Sequence, residues 1–102
     1  MKKNKNLDYE GVLKIVKSTI QPYTYPKISI KKISEKSDIP DLGLDSLDLV
    51  DFVIGLEEKL KVSIPDEDAE KFRYSEIGEL TKYVQGLVKE KYHEKDKDFT
   101  LS

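Results

Sequence analysis

Residues 47–60 restrict the fold of this chain more than any other stretch, because their apolar positions recur with a helical period. At about 3.6 residues per turn, these positions divide into two stripes on opposite sides of one helix. We call the first the core stripe (Leu49, Phe52, Val53, Leu56 and Leu60) and the second the outward stripe (Leu47, Val50 and Ile54). A surface helix of a small domain needs only one apolar stripe to face its core. Either this helix is buried all round, or its outward stripe receives something from outside the domain.

Acidic residues favour the second interpretation, because Asp48, Asp51, Glu57 and Glu58 lie around the outward stripe. The net charge of −2 is also divided unevenly. Residues 1–34 contain eight lysines and two acids (+6), residues 35–70 contain three lysines and twelve acids (−9), and the remainder has a balance of +1. An acidic surface attracts basic protein surfaces and repels the phosphates of nucleic acids. We therefore expect basic protein partners at this face, and no nucleic acid.

Ser46 lies where the helix begins. Asp45 or Ser46 could serve as its N-cap, and the serine taken alone indicates no more than capping. Two flanking segments add to it: Asp41-Leu42-Gly43 precedes the serine, and Ile64-Pro65-Asp66-Glu67 follows after one helix length. Together these residues resemble the acyl carrier protein family, whose second helix begins with Asp-Ser-Leu and whose third begins with Ile-Pro-Asp-Glu. The resemblance extends over about residues 34–89.

The resemblance implies an all-α fold: a four-helix bundle of the acyl-carrier type, with a short third helix and a long first loop. It also implies that the Ser46 hydroxyl carries a covalent 4′-phosphopantetheine arm, derived from coenzyme A, through a phosphodiester bond. The helix N-terminus suits that role, because its aligned amides favour a phosphate. A separate phosphopantetheinyl transferase would attach the arm. We therefore predict no catalytic residue, and a carrier protein instead of an enzyme.

A docking face follows from the same resemblance. Its expected partners are the transferase and the acyl-transferring and chain-modifying synthase enzymes, which would present basic docking patches. The residues predicted to form this face are Asp45, Leu47, Asp48, Val50, Asp51, Ile54, Glu57, Glu58, Glu67 and Glu70.

The remaining pattern divides the chain into a flexible leader (1–6), a carrier domain (7–91) and a charged flexible tail (92–102). Apolar spacing predicts a first helix over about 8–20, a short helix over 66–72, and a last helix that Ser75 caps and that ends at about residue 91. Residues 21–44 form a long loop. Ile28, Ile30 and Ile33 alternate there as in a strand, but no partner strand is evident, so we predict that some of them pin the loop onto the helices. Asp38 and Pro40 depart from the family pattern and leave the packing of this loop open.

Several kinds of site are excluded by composition. The chain has no cysteine and one histidine, His93 in the predicted tail, which argues against a nucleophilic triad and a histidine metal site. Carboxylate pairs such as Asp45 and Asp48 lie on a surface helix, without the buried pocket that would raise one pKa. No apolar run could span a membrane, and the lysine-bearing N-terminus lacks the apolar block of a signal peptide. We expect a cytoplasmic monomer without a bound metal.

Two alternatives stay open. The domain could carry aminoacyl or other non-fatty acyl groups, although Asp48 after Leu47 is more typical of fatty-acid and polyketide carriers. It could also be a helical interaction module without a prosthetic group, in which the outward stripe binds a partner helix. The biosynthetic pathway is not specified by the sequence.

Overall fold

Helix α1, Tyr9–Ile20, begins where Asp8 accepts a hydrogen bond from the Gly11 N–H at 2.9 Å. The structure is a computed structural model that describes the backbone of residues 8–101 and the side chains of residues 8–91. The leader predicted for residues 1–6 lies outside the described residues. After α1, the chain turns through a short 3₁₀ segment, Gln21–Tyr23, that contains Pro22 near its start. Proline lacks an N–H donor, so it cannot continue the helical hydrogen-bond ladder.

Three further helices follow the long loop: α2, Ser46–Leu60, α3, Asp66–Lys71, and α4, Ile77–Leu101. No strand occurs within residues 8–101, where β-type pairing is limited to an isolated bridge between Asp38 and Glu76. The predicted all-α fold with a short third helix is confirmed. The predicted end of the last helix at about residue 91 was wrong, because α4 continues to Leu101. Residues 92–101 contain neither proline nor glycine to stop the helix. The predicted flexibility of residues 92–102 stays a prediction.

The core lies where α1 packs against both α2 and α4. Its buried helical residues are Val12, Leu13, Val16 and Ile20 of α1, Leu49, Phe52, Val53, Leu56 and Leu60 of α2, and Ile77, Leu80, Val84 and Val88 of α4. All five residues of the core stripe are therefore buried, as predicted. Burying one such side chain contributes about 1.5–3 kcal/mol, so the core stripe fixes which face of α2 points outward.

The long loop is held by its apolar residues and by its backbone. Ile33, Ile39 and Leu42 are buried, Ile28 is half-buried, and Ile30 is exposed, which confirms that some of the isoleucines pin the loop. Asp38 departs from the family pattern, but the next residue, Ile39, supplies a buried apolar side chain in this part of the loop. Pro40 lies near the start of a 3₁₀ segment, Ile39–Leu42, where a missing N–H costs no internal hydrogen bond.

Loop carbonyls also satisfy the first amides of α4. The Ile77 N–H donates to the Ser37 carbonyl at 2.9 Å, and the Gly78 N–H donates to the Glu35 carbonyl at 2.7 Å. The predicted capping role of Ser75 was wrong: its hydroxyl donates instead to the Lys71 carbonyl at 2.8 Å. Ser75 therefore closes the end of α3, while the long loop closes the start of α4.

Two tyrosines tie elements together through carboxylates. The Tyr9 hydroxyl donates to Glu35, and this hydrogen bond, followed by burial, raises the pKa of Tyr9 to about 12. The Tyr83 hydroxyl donates to Asp68, and burial, followed by that hydrogen bond, raises the pKa of Tyr83 to about 12. Tyr83 also meets Phe72 edge to face, with ring centroids 5.6 Å apart. The first contact joins α1 to the loop, and the second joins α3 to α4.

Candidate functional site

The start of α2 is fixed by a reciprocal pair of hydrogen bonds. Asp45 Oδ1 accepts from the Asp48 N–H at 2.8 Å, and Asp48 Oδ2 accepts from the Asp45 N–H at 3.3 Å. This capping box satisfies two amide donors at the helix end. Of the two capping candidates, Asp45 therefore serves as the N-cap. Ser46 becomes the first helical residue, and its exposed side chain is free of any capping role.

Arg73 lies beside Ser46, although the sequence-based prediction gave it no role. Its guanidinium Nη2 donates to Ser46 Oγ at 3.3 Å. Arg73 belongs to a 3₁₀ segment, Phe72–Tyr74, that follows α3 and is anchored by the buried Phe72. The Ile39 N–H also donates to the Ser75 carbonyl at 2.9 Å, which holds this segment against the end of the long loop.

A cleft of about 250 Å³ opens between these elements. Ser46 and Arg73 line it together with Asp45, Ile39, Pro40, Leu44 and Leu49. Its walls therefore combine apolar side chains with a hydroxyl, a carboxylate and a guanidinium. A guanidinium has no acceptor and stays protonated, so Arg73 cannot remove the proton of the Ser46 hydroxyl. This arrangement suits a serine that is modified by another protein, not one that acts as a nucleophile here.

The outward stripe is exposed along α2, as predicted. Leu47 is 75% exposed, Val50 53% and Ile54 45%. Large apolar side chains at this exposure, aligned on one helix face beside Ser46, form a patch of the kind that partner proteins bind.

The predicted acidic docking residues divide into two groups. Asp45, Asp51, Glu58, Glu67 and Glu70 are exposed, whereas Asp48 and Glu57 are half-buried. Glu57 Oε2 accepts a hydrogen bond from the Ile64 N–H at 2.7 Å and so holds the loop between α2 and α3. Glu70 lies 3.9 Å from Arg73 Nε. The capping residue Asp48 and the bonded Glu57 thus have structural roles that the sequence pattern did not reveal.

Two further expectations concern absences. Within residues 8–91, no group of three or more potential ligand side chains is placed to hold a metal ion. No helix between residues 8 and 101 combines the length and apolar character that a membrane crossing requires. His93 lies outside the residues whose side chains are described.

The family model described as phosphopantetheine attachment site matches residues 25–84, which is more than half of the chain. The chain belongs to the phosphopantetheine attachment site family. The matched range contains Ser46, Arg73 and the whole of α2 and α3. Membership confirms the predicted family resemblance, and with it a covalently attached 4′-phosphopantetheine as the cofactor.

Several proteins named acyl carrier protein are similar to this chain. The protein of Clostridium perfringens is 48% identical over 50 residues, which cover 49% of this chain and 63% of that protein. The protein of Campylobacter fetus is 49% identical over 55 residues, which cover 54% of this chain and 69% of that protein. The protein of Wolinella succinogenes is 41% identical over 59 residues, which cover 57% of this chain and 75% of that protein. The chain thus spans less than two thirds of the Clostridium protein. No solved structure matches the chain significantly.

The described residues fit the family's cofactor. Ser46 Oγ is accessible, it lies at the positive end of α2, and a guanidinium stands within hydrogen-bond distance of it. A phosphodiester formed at this oxygen would lie next to a cation, and the rest of the arm would start at the mouth of the cleft.

Proposed function

We propose that this chain is an acyl carrier protein whose 4′-phosphopantetheine arm is attached to Ser46 Oγ. The observation that carries the proposal is the position of Ser46: an exposed first residue of α2, within the range that matches the family model. The chain contains no cysteine, so the arm supplies the thiol that holds an acyl group as a thioester. The domain itself is not an enzyme but a tethered substrate for its partners.

The residues of the chain present the serine instead of activating it. The capping box holds the backbone of Asp45 and Asp48, which fixes the direction in which Ser46 leaves the helix. The core stripe anchors the opposite face of α2. A phosphopantetheinyl transferase therefore provides the base for the hydroxyl and binds coenzyme A, which donates the arm and releases its nucleotide part, while this chain supplies a rigid and accessible handle.

The outward stripe and the exposed acids around it form the proposed docking face. An apolar contact of three side chains contributes affinity, and a surrounding ring of like charge steers a basic partner and fixes its orientation. The partners that fit are the transferase and the acyl-transferring and chain-modifying synthase enzymes, in a fatty-acid, polyketide or related pathway. A cytoplasmic location and a monomeric state stay predictions.

The experiment is an attachment assay read by intact-mass spectrometry. The purified chain is incubated with coenzyme A and a broad-specificity transferase, beside Ser46→Ala and a control, Ser63→Ala, which removes an exposed serine from the loop between α2 and α3. We expect one arm on the wild type and on the control, and none on Ser46→Ala. An arm on the Ser46→Ala protein would refute the site.

Two further measurements separate the alternatives. If no arm is attached to the wild type while the outward stripe still binds a partner protein, the chain is a helical interaction module. If the arm is attached, mass spectrometry of the group carried by the protein isolated from its own cells distinguishes fatty acyl from aminoacyl cargo.

A further inference from the structure

The start of α2 has fewer free amides to offer a phosphate than an uncapped helix N-terminus has. Exposed amides at a helix start normally attract an anion. Here the Asp48 N–H is already taken by Asp45 Oδ1, and the Leu49 N–H donates to the Asp45 carbonyl at 3.0 Å. The carboxylates of Asp45 and Asp48 also place negative charge at this end of the helix. A phosphodiester on Ser46 would therefore meet two like charges and find fewer free amides.

Arg73 is positioned to offset this repulsion. Its Nη2 lies 3.3 Å from Ser46 Oγ, the oxygen that would become the ester oxygen. The non-bridging phosphate oxygens would extend from that oxygen by two covalent bonds, within reach of the same guanidinium. Arginine is the side chain best suited to phosphate, because its planar fork can donate two parallel hydrogen bonds.

The Arg73 guanidinium also has donor capacity left over. Its Nε is covered from solvent, and among the described residues it makes no hydrogen bond. The nearest carboxylate, Glu70 Oε1, is 3.9 Å away, close enough for an electrostatic attraction but too far for a hydrogen bond. A covered donor without a partner is unfavourable, so Arg73 is suited to bind a further acceptor.

The choice of residue supports the same interpretation. The chain has eighteen basic residues, of which seventeen are lysines, and its one arginine lies at Ser46. The contact is not a local one in the sequence, since it depends on the packing of the Phe72–Tyr74 segment against the Ile39–Leu42 segment. The fold thus brings the one guanidinium to the one serine that is proposed to carry a phosphate.

We propose that Arg73 binds the phosphodiester of the arm, so that attachment moves its hydrogen bond from the Ser46 hydroxyl to the non-bridging phosphate oxygens. This inference rests on the proposed function, because it requires an arm at Ser46. Arg73 is then a positioning residue: it neutralises the phosphate beside Asp45 and Asp48, and it holds the base of the arm at the mouth of the cleft.

The first test uses the wild-type protein alone. Because the chain has one arginine, its Nε–Hε group gives a single, unambiguous signal in a ¹H–¹⁵N spectrum. We expect this signal to shift and to exchange more slowly with water when the apo protein is converted to the holo form with coenzyme A and a transferase. An unchanged signal on a protein whose mass shows a complete arm would overturn the proposal.

The second test is a melting-temperature cycle with Arg73→Gln. The quantity compared is the melting temperature of the holo form minus that of the apo form. This difference should be lower in Arg73→Gln than in the wild type by roughly 2–6 °C, as expected for one partly exposed ion pair in a small domain. The apo–holo difference cancels any effect of the substitution on the apo protein. Lys71→Gln, which removes an exposed cation two residues away, should keep the wild-type difference.

The outcomes separate this inference from the proposed function. If no arm is attached to the wild type, the proposed function fails and Arg73 has no phosphate to bind. If the arm is attached and the cycle gives equal differences for the wild type and Arg73→Gln, only the inference fails. Should Arg73→Gln fold poorly, Arg73→Lys keeps the charge and loses the fork, and the wild-type arginine signal remains a complete test.

Discussion

Gly43 lies directly against the backbone of Tyr25. A Cβ atom on Gly43 would stand 1.9 Å from the Tyr25 carbonyl oxygen, and Gly43 itself has a φ of +87°. The Tyr25 N–H donates to the Leu42 carbonyl at 2.9 Å, which joins the two ends of the long loop just before Asp45. The backbone entry into α2, and with it the direction of Ser46, therefore depends on a residue without a side chain at position 43.

Replacing Gly43 by alanine should lower the free energy of unfolding by about 2–4 kcal/mol, because the variant combines a left-handed backbone with a close contact. Urea denaturation measures this loss. Gly86→Ala is the matched control: no atom lies within 4 Å of its added Cβ, and alanine favours the interior of α4 by up to about 1 kcal/mol. Equal stabilities of Gly43→Ala and the wild type would show that the loop can move away from position 43.

Helical periodicity was sufficient to predict the parts of this fold that depend on local pattern. The core stripe was assigned from spacing alone, because a side chain's face on a helix is set by its position in the turn. The same rule placed Leu47, Val50 and Ile54 on the opposite face, but predicting that they are exposed also required the acidic residues around them. The family resemblance added that so long a first loop belongs to this fold, and it agreed with the short third helix that spacing predicted.

Contacts between residues distant in sequence could not be predicted in the same way. Arg73 reaches Ser46 only because two 3₁₀ segments pack together, and nothing in the spacing of those residues encodes that packing. The one signal was compositional: a single arginine among seventeen lysines. Glu57 was likewise assigned to the docking face from its position on α2, whereas its carboxylate binds the Ile64 N–H across the following loop.

The two stripes of α2 should respond differently to truncation. Leu56→Ala removes a fully buried side chain and should cost about 2–5 kcal/mol of stability. Val50→Ala should change stability by less than about 0.5 kcal/mol, because Val50 is half exposed, yet it should slow modification by the transferase. Denaturation curves and attachment rates measure the two effects. If Val50→Ala destabilises as much as Leu56→Ala, the outward stripe contributes to the core.

Stability should fall at alkaline pH through the two bonded tyrosines. The folded state raises the pKa of Tyr9 and of Tyr83 to about 12, from an ordinary value of 10.0, so it binds both phenolic protons more tightly than the unfolded chain. The resulting stabilisation is complete below pH 10 and is lost as the pH rises from about 10 towards 12.

The test compares the wild type with the double variant Tyr9→Phe and Tyr83→Phe by urea denaturation between pH 9 and about pH 12. Lysines titrate in the same range in both proteins, so the difference between the two curves isolates the tyrosines. We expect the wild type to be more stable at pH 9 and the difference to shrink as the pH rises. A difference that stays constant would mean that neither hydroxyl holds its proton more tightly in the folded state.

The exposed acids should control how fast a partner finds the docking face. Asp51→Lys combined with Glu58→Lys reverses two exposed charges beside the outward stripe. Asp48 and Glu57 are unsuitable for this test, because the first completes the capping box and the second binds the Ile64 N–H. The double reversal should slow modification of Ser46 by weakening the encounter with a basic transferase, while the helical content stays unchanged.

Salt provides the check on this electrostatic explanation. Dissolved salt screens the interaction between exposed charges beyond about 10 Å at 0.1 M and beyond a shorter distance at higher concentrations. The attachment rate of the wild type should therefore fall as salt is added, whereas the rate of the docking-face variant should depend on salt only weakly. Glu10→Lys combined with Glu90→Lys changes the net charge equally at exposed positions outside the predicted docking face, and it should keep a steep salt dependence. Second-order attachment rates of the three proteins from low to high salt decide the matter. If the wild-type and docking-face curves coincide, the outward stripe recognises the partner without help from the acids.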